Sequence, residues 1–305
     1  MPMMLIDDIS SLRRCLASWR RGGRSIALVP TMGNLHAGHL ALVWEARRMA
    51  DRTLVSIFVN PLQFGPNEDF GAYPRTLEQD RELLEVEGAD LLFAPPVQAV
   101  YPYGSQGQTR VEVPGLSNIL CGASRPGHFA GVATVVCKLF NMAQPDVAIF
   151  GEKDYQQLLV IRRMVEDLCL PVEVRGLATV REPDGLAMSS RNGYLSPTER
   201  ARAPALHRTL RRAGERLREG LAVGEVERMG AEDLMVDGLR LDYFSVRRAS
   251  DLQPVATGDR DLVVLTAAYL GAARLIDNLR VSLTDMAPSA TAATEGSENA
   301  NHRVR

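Results

Sequence analysis

Two histidines three positions apart, His36 and His39, with Gly38 just before the second, are the first residues along the chain whose types and spacing could do chemistry. They lie in Pro30-Thr31-Met32-Gly33-Asn34-Leu35-His36-Ala37-Gly38-His39. The short, partly β-branched apolar run at 25–29 precedes this stretch, and residues 40–51 follow it, with Leu40, Val43, Trp44 and Arg47 at helical spacing. The run reads as a buried strand. Strand, glycine-bearing turn and helix is a geometry that sets helix N-terminal amides beside an anion. A helix starting near Gly38 holds His39 in its first turn and leaves His36 on the turn beside it, so both imidazoles could meet one anion. Two other readings stand beside this one. A βα turn also tolerates polar side chains that have no role, and a metal would be poorly held by two histidines without nearby cysteine or acidic partners.

Three more stretches carry donors. Gly151-Glu152-Lys153-Asp154 falls between an apolar run and a helical pattern, and Lys153 is one of only two lysines in the chain, with Lys138. A lysine there is a point charge able to reach a phosphate, or a partner for Glu152 or Asp154. Met188-Ser189-Ser190-Arg191-Asn192 offers two hydroxyls and a guanidinium, suited to phosphate oxygens or equally to a polar linker between domains. Asn60, Gln63 and Gln157 supply neutral amides, which suit hydroxyls and a carboxylate on a small ligand but also cap loops. Arg125, in the glycine-rich stretch 122–132, could meet an anion or stabilise its own loop. Neither G-x-x-x-x-G-K-[ST] nor a post-strand G-x-G-x-x-G occurs.

The elements that must position these residues alternate. Residues 10–21 read as a leading helix closed by Gly22-Gly23, and strands are expected at 25–29, 53–60, 89–94, 147–150 and 172–180, with a shorter one at 109–113. Helices are expected at 40–51, 76–87, 131–142 and 155–168, and a long irregular segment at 61–75 has the length of a functional loop. Such alternation implies a parallel sheet with right-handed crossovers, and ligands bind beyond the carboxyl ends of its strands. Past residue 181 the alternation stops. A long Arg/Glu-rich helix at 197–220 and a second at 226–236 precede strand-like runs at 241–247, 261–269 and 274–283, the pattern of a small α+β unit. The fold expected is therefore α/β, a Rossmann-like parallel-sheet N-terminal domain over 1–181 with a smaller α+β C-terminal domain over 182–283. Residues 284–305 have almost no large apolar side chain and are expected to be disordered.

Of 305 residues, 24% are charged and 46% hydrophobic, the balance of an ordinary globular protein, and the net charge of -2 gives no basic field for nucleic acid. Cys15, Cys121, Cys137 and Cys169 are scattered without a C-x-x-C pair, which points to buried free thiols rather than a zinc site or disulfide framework. The first ten residues lack a signal pattern, and no run of about 18 apolar residues could span a bilayer. A cytoplasmic protein without a membrane partner is expected.

The H-x-G-H turn resembles the signature of class I aminoacyl-tRNA synthetases and related nucleotidyltransferases. The wider set of stretches resembles the pantothenate synthetase (pantoate–β-alanine ligase) family. It comprises the segment 30–39, Ser56-Ile-Phe-Val-Asn-Pro-Leu-Gln-Phe64, Tyr73-Pro-Arg-Thr76, Ser124-Arg-Pro-Gly-His-Phe129, Phe150-Gly-Glu-Lys-Asp-Tyr-Gln-Gln157, Asp184-Gly-Leu-Ala-Met-Ser-Ser-Arg-Asn192 and Ala273-Arg-Leu-Ile-Asp-Asn278. Order and spacing agree from about residue 5 to 283. The resemblance implies ATP contacts from Met32, Gly33, His36, Gly38, His39, Gly151, Glu152, Lys153, Asp154, Val180, Met188, Ser189, Ser190 and Arg191. It implies pantoate contacts from Gln63 and Gln157, with Gln63 also near β-alanine, and His39 at the proton-donor position. His36, His39, Lys153 and Arg191 are the catalytic candidates. It further implies Mg2+ on the phosphates, with no protein ligand assignable, a pantoyl-adenylate intermediate, and a homodimer through the N-terminal domain. A nucleotidyltransferase that leaves the nucleotide on its product is the nearest rival, and a non-catalytic nucleotide-binding module the next.

Overall fold

The structure, a computed structural model, describes residues 3–65, 68, 70–104 and 107–283; the expected disordered tail at 284–305 lies outside them. Along the chain run β1 (Met4–Ile6), α1 (Ile9–Arg21), β2 (Ile26–Thr31), α2 (Ala37–Met49), β3 (Arg52–Ile57), α3 (Leu77–Glu87), β4 (Leu91–Phe93), α4 (Val97–Val100), α5 (Cys121–Ser124), α6 (His128–Ala143), β5 (Val147–Gly151), α7 (Tyr155–Asp167) and β6 (Glu173–Leu177). After these come α8 (Pro197–Arg202), α9 (Ala205–Arg218), α10 (Val223–Val236), β7 (Arg240–Arg248), β8 (Asp261–Leu270) and β9 (Ala273–Ser282).

Strands β1 to β6 form one parallel sheet in the order β1-β4-β3-β2-β5-β6. From β2 the chain winds outward through β3 and β4, then returns to lay β5 against the other side of β2, with Ala27 opposite Val147. The loops after β2 and β5 therefore leave in opposite directions, and the crevice between them is the position where doubly wound sheets bind ligands. Strands β2 and β5, each paired on both sides, are apolar over most of their length because helices cover both faces: Ile26, Ala27, Leu28 and Val29 are all buried, as are Val147, Ala148, Ile149 and Phe150.

The second sheet is antiparallel, in the order β7-β8-β9. The continuous apolar run of β8 is explained by burial on both faces. Leu262 and Val264 pack with Leu206, Leu210 and Leu217 of α9 and Val226 and Leu234 of α10. The alternate residues Val263 and Leu265, with Ala249 and Leu252, join the core beneath the first sheet. Burial of this kind is worth roughly 2 kcal/mol per Val or Leu side chain, so the two sheets share a core rather than merely a linker.

Several expectations are corrected. The short edge strand β1 was too brief to announce itself by pattern. The helix expected at 197–220 is two helices, because Pro204 cannot donate to the preceding turn; α8 ends at Arg202 and α9 starts at Ala205. Residues 109–113 form no strand: the Val111 amide donates instead to Thr134 Oγ1 at 2.9 Å. The strand at 172–180 shortens to β6. The four thiols are free, but only Cys121 is buried, and Cys169 is exposed.

Candidate active site

The turn after β2 is held in shape before any ligand arrives. Gly33 and Asn34 take left-handed backbone, with φ of 82° and 51°, which turns their amides inward. The amides of Asn34 and Leu35 donate to the two carboxylate oxygens of Asp80 at 2.9 and 2.8 Å, and Thr76 Oγ1 donates to the same group at 3.2 Å. Asp80 is buried on α3. A side chain at position 33 would come within 3.0 Å of Asp80 and Ile57, so glycine is required there on two counts.

His36 is the N-cap of α2, and the two histidines cap that helix reciprocally. The Gly38 amide donates to His36 Nδ1 at 3.1 Å and the His36 amide to His39 Nδ1 at 3.3 Å. A ring nitrogen that accepts must be bare, so each neutral imidazole carries its proton on Nε2. The ring centroids are 4.1 Å apart. Burial, reinforced by the positive charge of Lys153, holds His36 down to about 4; burial and His36 hold His39 down to about 3. Both are therefore neutral N–H donors at pH 7. The His36 ring folds over Gly38 so closely that a Cβ there would lie 2.9 Å from its Cε1.

Beyond the neighbouring strand β5, a single 3-10 turn over Glu152–Asp154 carries Lys153, whose Nζ lies 3.8 Å from Asp154 Oδ2. The pairing allowed from sequence exists, and the ammonium still lines the cavity next to His36 and His39. The loop after β6 folds back as a narrow hairpin. Arg181 bridges Ala187, the Met188 amide donates to Val180 O at 3.0 Å, and Ser190 Oγ reaches across to donate to Asn34 O at 3.2 Å. That contact brings Met188, Ser189, Ser190 and Arg191 against the histidine turn.

On the cavity's other wall, Asn60 fixes Gln63. Tyr101 Oη donates to Asn60 Oδ1 at 2.8 Å, and Asn60 Nδ2 donates to Gly131 O and Gln63 Oε1, each at 3.1 Å. The Gln63 amide nitrogen then faces Met32, which it approaches at 2.9 Å. A Cβ on Gly131 would sit 2.3 Å from Leu62 O, so α6 can press on this turn only with glycine there. Arg125, which lines both cavities, also stabilises its loop. It grips Glu68 at 2.5 and 2.6 Å and donates to Gln63 O at 3.2 Å, while His128 Nδ1 donates to the same carbonyl at 2.8 Å. Burial and Arg125 hold His128 down to about 4. Gln156, beside Gln157, is also structural, donating to Leu116 O and Ile119 O at 2.8 Å.

One cavity of about 240 Å³ gathers Met32, His36, Gly38 and His39 from the first turn, Gly151, Lys153 and Asp154 from the second, and Val180 and Met188 through Arg191 from the hairpin, with Gln63 and Gln157 at its side. It opens into a larger cleft of about 930 Å³ that shares Lys153, Ser189 and Arg191 and runs under β9. Gly33 and Glu152 do not line it: Gly33 backs on Asp80, and Glu152 packs beside Gly176. Sequence reasoning passed over Asp80, Tyr101 and Arg181 because nothing local marks them. Each acts on residues distant along the chain.

The model of the family described as pantoate-beta-alanine ligase matches residues 4–280. The chain is 60% identical over 282 residues to the pantothenate synthetase of Thioalkalivibrio sulfidiphilus, covering 92% of this chain and 99% of that one. It is 56% identical over 277 residues to that of Shewanella loihica, covering 91% and 98%. Among solved structures, pantothenate synthetase from Thermus thermophilus superposes with a TM-score of 0.85 at 50% identity, over 91% of this chain and 99% of that one. The Francisella tularensis pantoate-beta-alanine ligase, complexed with beta-gamma ATP and beta-alanine, does so with 0.77 at 35% identity, over 91% and 97%.

Proposed function

The chain belongs to the pantoate–β-alanine ligase family, and from that membership we infer its reaction: it is a ligase that makes pantothenate from pantoate and β-alanine with ATP. The reaction runs in two steps. The pantoate carboxylate, already ionised at neutral pH, attacks the α-phosphorus; the new O–P bond forms as the bond to pyrophosphate breaks. The β-alanine amine then attacks the acyl carbon of the pantoyl adenylate and expels AMP.

The difficulty in the first step is negative charge growing on the α-phosphate and the departing pyrophosphate. His36 and His39 meet it as neutral Nε2–H donors fixed by their reciprocal cap, and Lys153 and Arg191 meet it with full charges. Ser189 and Ser190 add hydroxyls. Donors fixed in advance stabilise developing charge without reorganising, which makes them the largest contributors in such sites. Gln63 and Gln157 hold pantoate, with Gln63 also near β-alanine. Mg2+ sits on the ATP phosphates as their counter-ion, with no protein ligand assigned to it.

Residues 1–181 form the ATP- and pantoate-binding unit, and 182–283 form a lid. The protein acts in the cytoplasm as a homodimer through the N-terminal unit, an arrangement that light scattering would check. No helix of the described residues is long and apolar enough to cross a membrane.

The observation that carries this reading is the convergence of the histidine turn, the Lys153 turn and the 188–191 hairpin on one cavity. The test is pyrophosphate exchange. With MgATP and pantoate alone, the protein should move labelled pyrophosphate into ATP, and Lys153→Ala should suppress the exchange. Exchange that strictly required β-alanine would remove the adenylate, and exchange supported equally by unrelated carboxylic acids would remove pantoate as its acceptor.

A further inference from the structure

Two residues of β9, Asp277 and Asn278, between them touch both loops proposed to hold the nucleotide phosphates. Neighbouring residues of a strand point to opposite faces of their sheet. On β9 this parity sends Asp277 toward α9 and Asn278 toward the first sheet. Asp277 is 3% exposed. Its carboxylate takes two hydrogen bonds from the Arg181 guanidinium, at 2.7 and 3.0 Å. Arg181 also donates to Gly185 O at 3.1 Å, closing the base of the hairpin that carries Met188–Arg191. Asn278 turns the other way. Its Nδ2 donates to Glu152 O at 2.8 Å and to Lys153 O at 2.9 Å, taking up both carbonyls of the Lys153 turn. The two grips are themselves joined, since the Asn278 amide donates to Asp277 Oδ1 at 2.8 Å.

We propose that Asp277 and Asn278 are positioning residues that clamp the Lys153 turn and the 188–191 hairpin at a fixed separation across β9, setting the span of the triphosphate site. This rests on the reading of those two loops as ATP-binding. The two loops belong to different crossovers of the chain, and β9 is the rigid element common to both. Neither side chain lines the smaller cavity, although Asp277 borders the larger cleft: Asn278 acts through the main chain of residue 153, and Asp277 through Arg181. A charge-assisted, bidentate pair fixes orientation as well as distance. The amide fixes which way the Lys153 carbonyl points and hence where its side chain starts.

The experiment compares Asn278→Asp with Lys153→Ala. Asn278→Asp keeps the size of the side chain and sets an oxygen where the donor stood, against two carbonyls. Misplacing a phosphate contact by about an ångström costs on the order of a hundredfold. The expected result is a loss of that order in kcat/KM for ATP, faster hydrogen exchange at residues 152–154, and a pantoate dissociation constant close to that of the unaltered protein. Arg181→Lys, which keeps the charge but loses the fork, should show the same selective loss at the hairpin, about tenfold, and it replaces Asn278→Asp as the readout if that variant does not fold. Unchanged ATP kinetics in these variants, with Lys153→Ala impaired, would overturn the clamp and leave the functional reading standing. Unchanged kinetics in all three would remove both.

Discussion

The turn at residues 32–39 and the hairpin at 181–191 send donors into the same cavity from opposite directions and by opposite means. The first is braced by a buried carboxylate and by its own histidines. Its amides are satisfied by buried Asp80, its histidines cap their own helix, and its parent strand lies at the centre of a sheet. The second is tied down mainly by its own side chains reaching outward, Arg181 to Asp277 and Ser190 to Asn34 O, with Asn192 donating to Ala187 O at 3.0 Å. Burial makes the first region's donors neutral, whereas the hairpin keeps a permanent charge on Arg191. In the proposed reaction the preformed turn is the part that stays complementary to developing charge.

The largest expected effect comes from removing a donor of the preformed turn. His39→Ala should slow adenylate formation by on the order of a hundredfold or more, about 3 kcal/mol in barrier, while pantoate binds nearly as before. Single-turnover rates within a few-fold of the unaltered protein would break the contrast, because the rigid turn would then carry no more than the hairpin.

Next comes the support beneath that turn. Asp80→Ala leaves the Asn34 and Leu35 amides without their buried acceptor, a loss of about 1–3 kcal/mol for an unsatisfied group. Urea denaturation should show a lowered midpoint, with a fall in kcat rather than a rise in KM for pantoate. A stability equal to the starting protein would mean that water or another group serves those amides, and that the turn is not preorganised by Asp80.

The smallest effect is an expected flatness. With His36 near 4 and His39 near 3, against an ordinary 6.5, neither should titrate between pH 5 and 8. The kcat/KM profile for ATP should therefore show no histidine inflection there. Stability has the opposite sign from the common histidine case. Below pH 6.5 the unfolded chain binds protons that the folded site refuses, so these groups leave stability untouched above that value and erode it as pH falls toward 4 and 3. An inflection near 6.5 in the free enzyme's kinetics would show the imidazoles to be wetter than their burial indicates.

Much of this site was legible residue by residue. The H-x-G-H turn, the lone lysine after an apolar strand, and the Ser-Ser-Arg stretch each carry chemistry in their side chains, and their element contexts follow from local periodicity. The break in the helix at Pro204 is equally local, since a proline inside a helical pattern interrupts it. Arg125 shows the limit of such reading. Its sequence context allowed an anion or its own loop as partner, and the fold pairs it with Glu68, a carboxylate 57 positions away, while leaving it on the wall of both cavities.

By itself, then, the sequence determined most of the longer strands and helices, that β2 and β5 are apolar enough to be interior, and which side chains bring donors. Those properties depend on near neighbours and on composition. Only the tertiary structure decided that β5 returns to lie against β2, so that Lys153 meets His36 and His39. It alone decided that Asp80 braces the turn, Tyr101 orients Asn60 and through it Gln63, and the two faces of β9 reach two different loops. The physical reason is range. Each of these contacts joins residues dozens to more than a hundred positions apart, and a hydrogen bond between such residues leaves no mark on the local pattern of either partner until the sheet order brings them together.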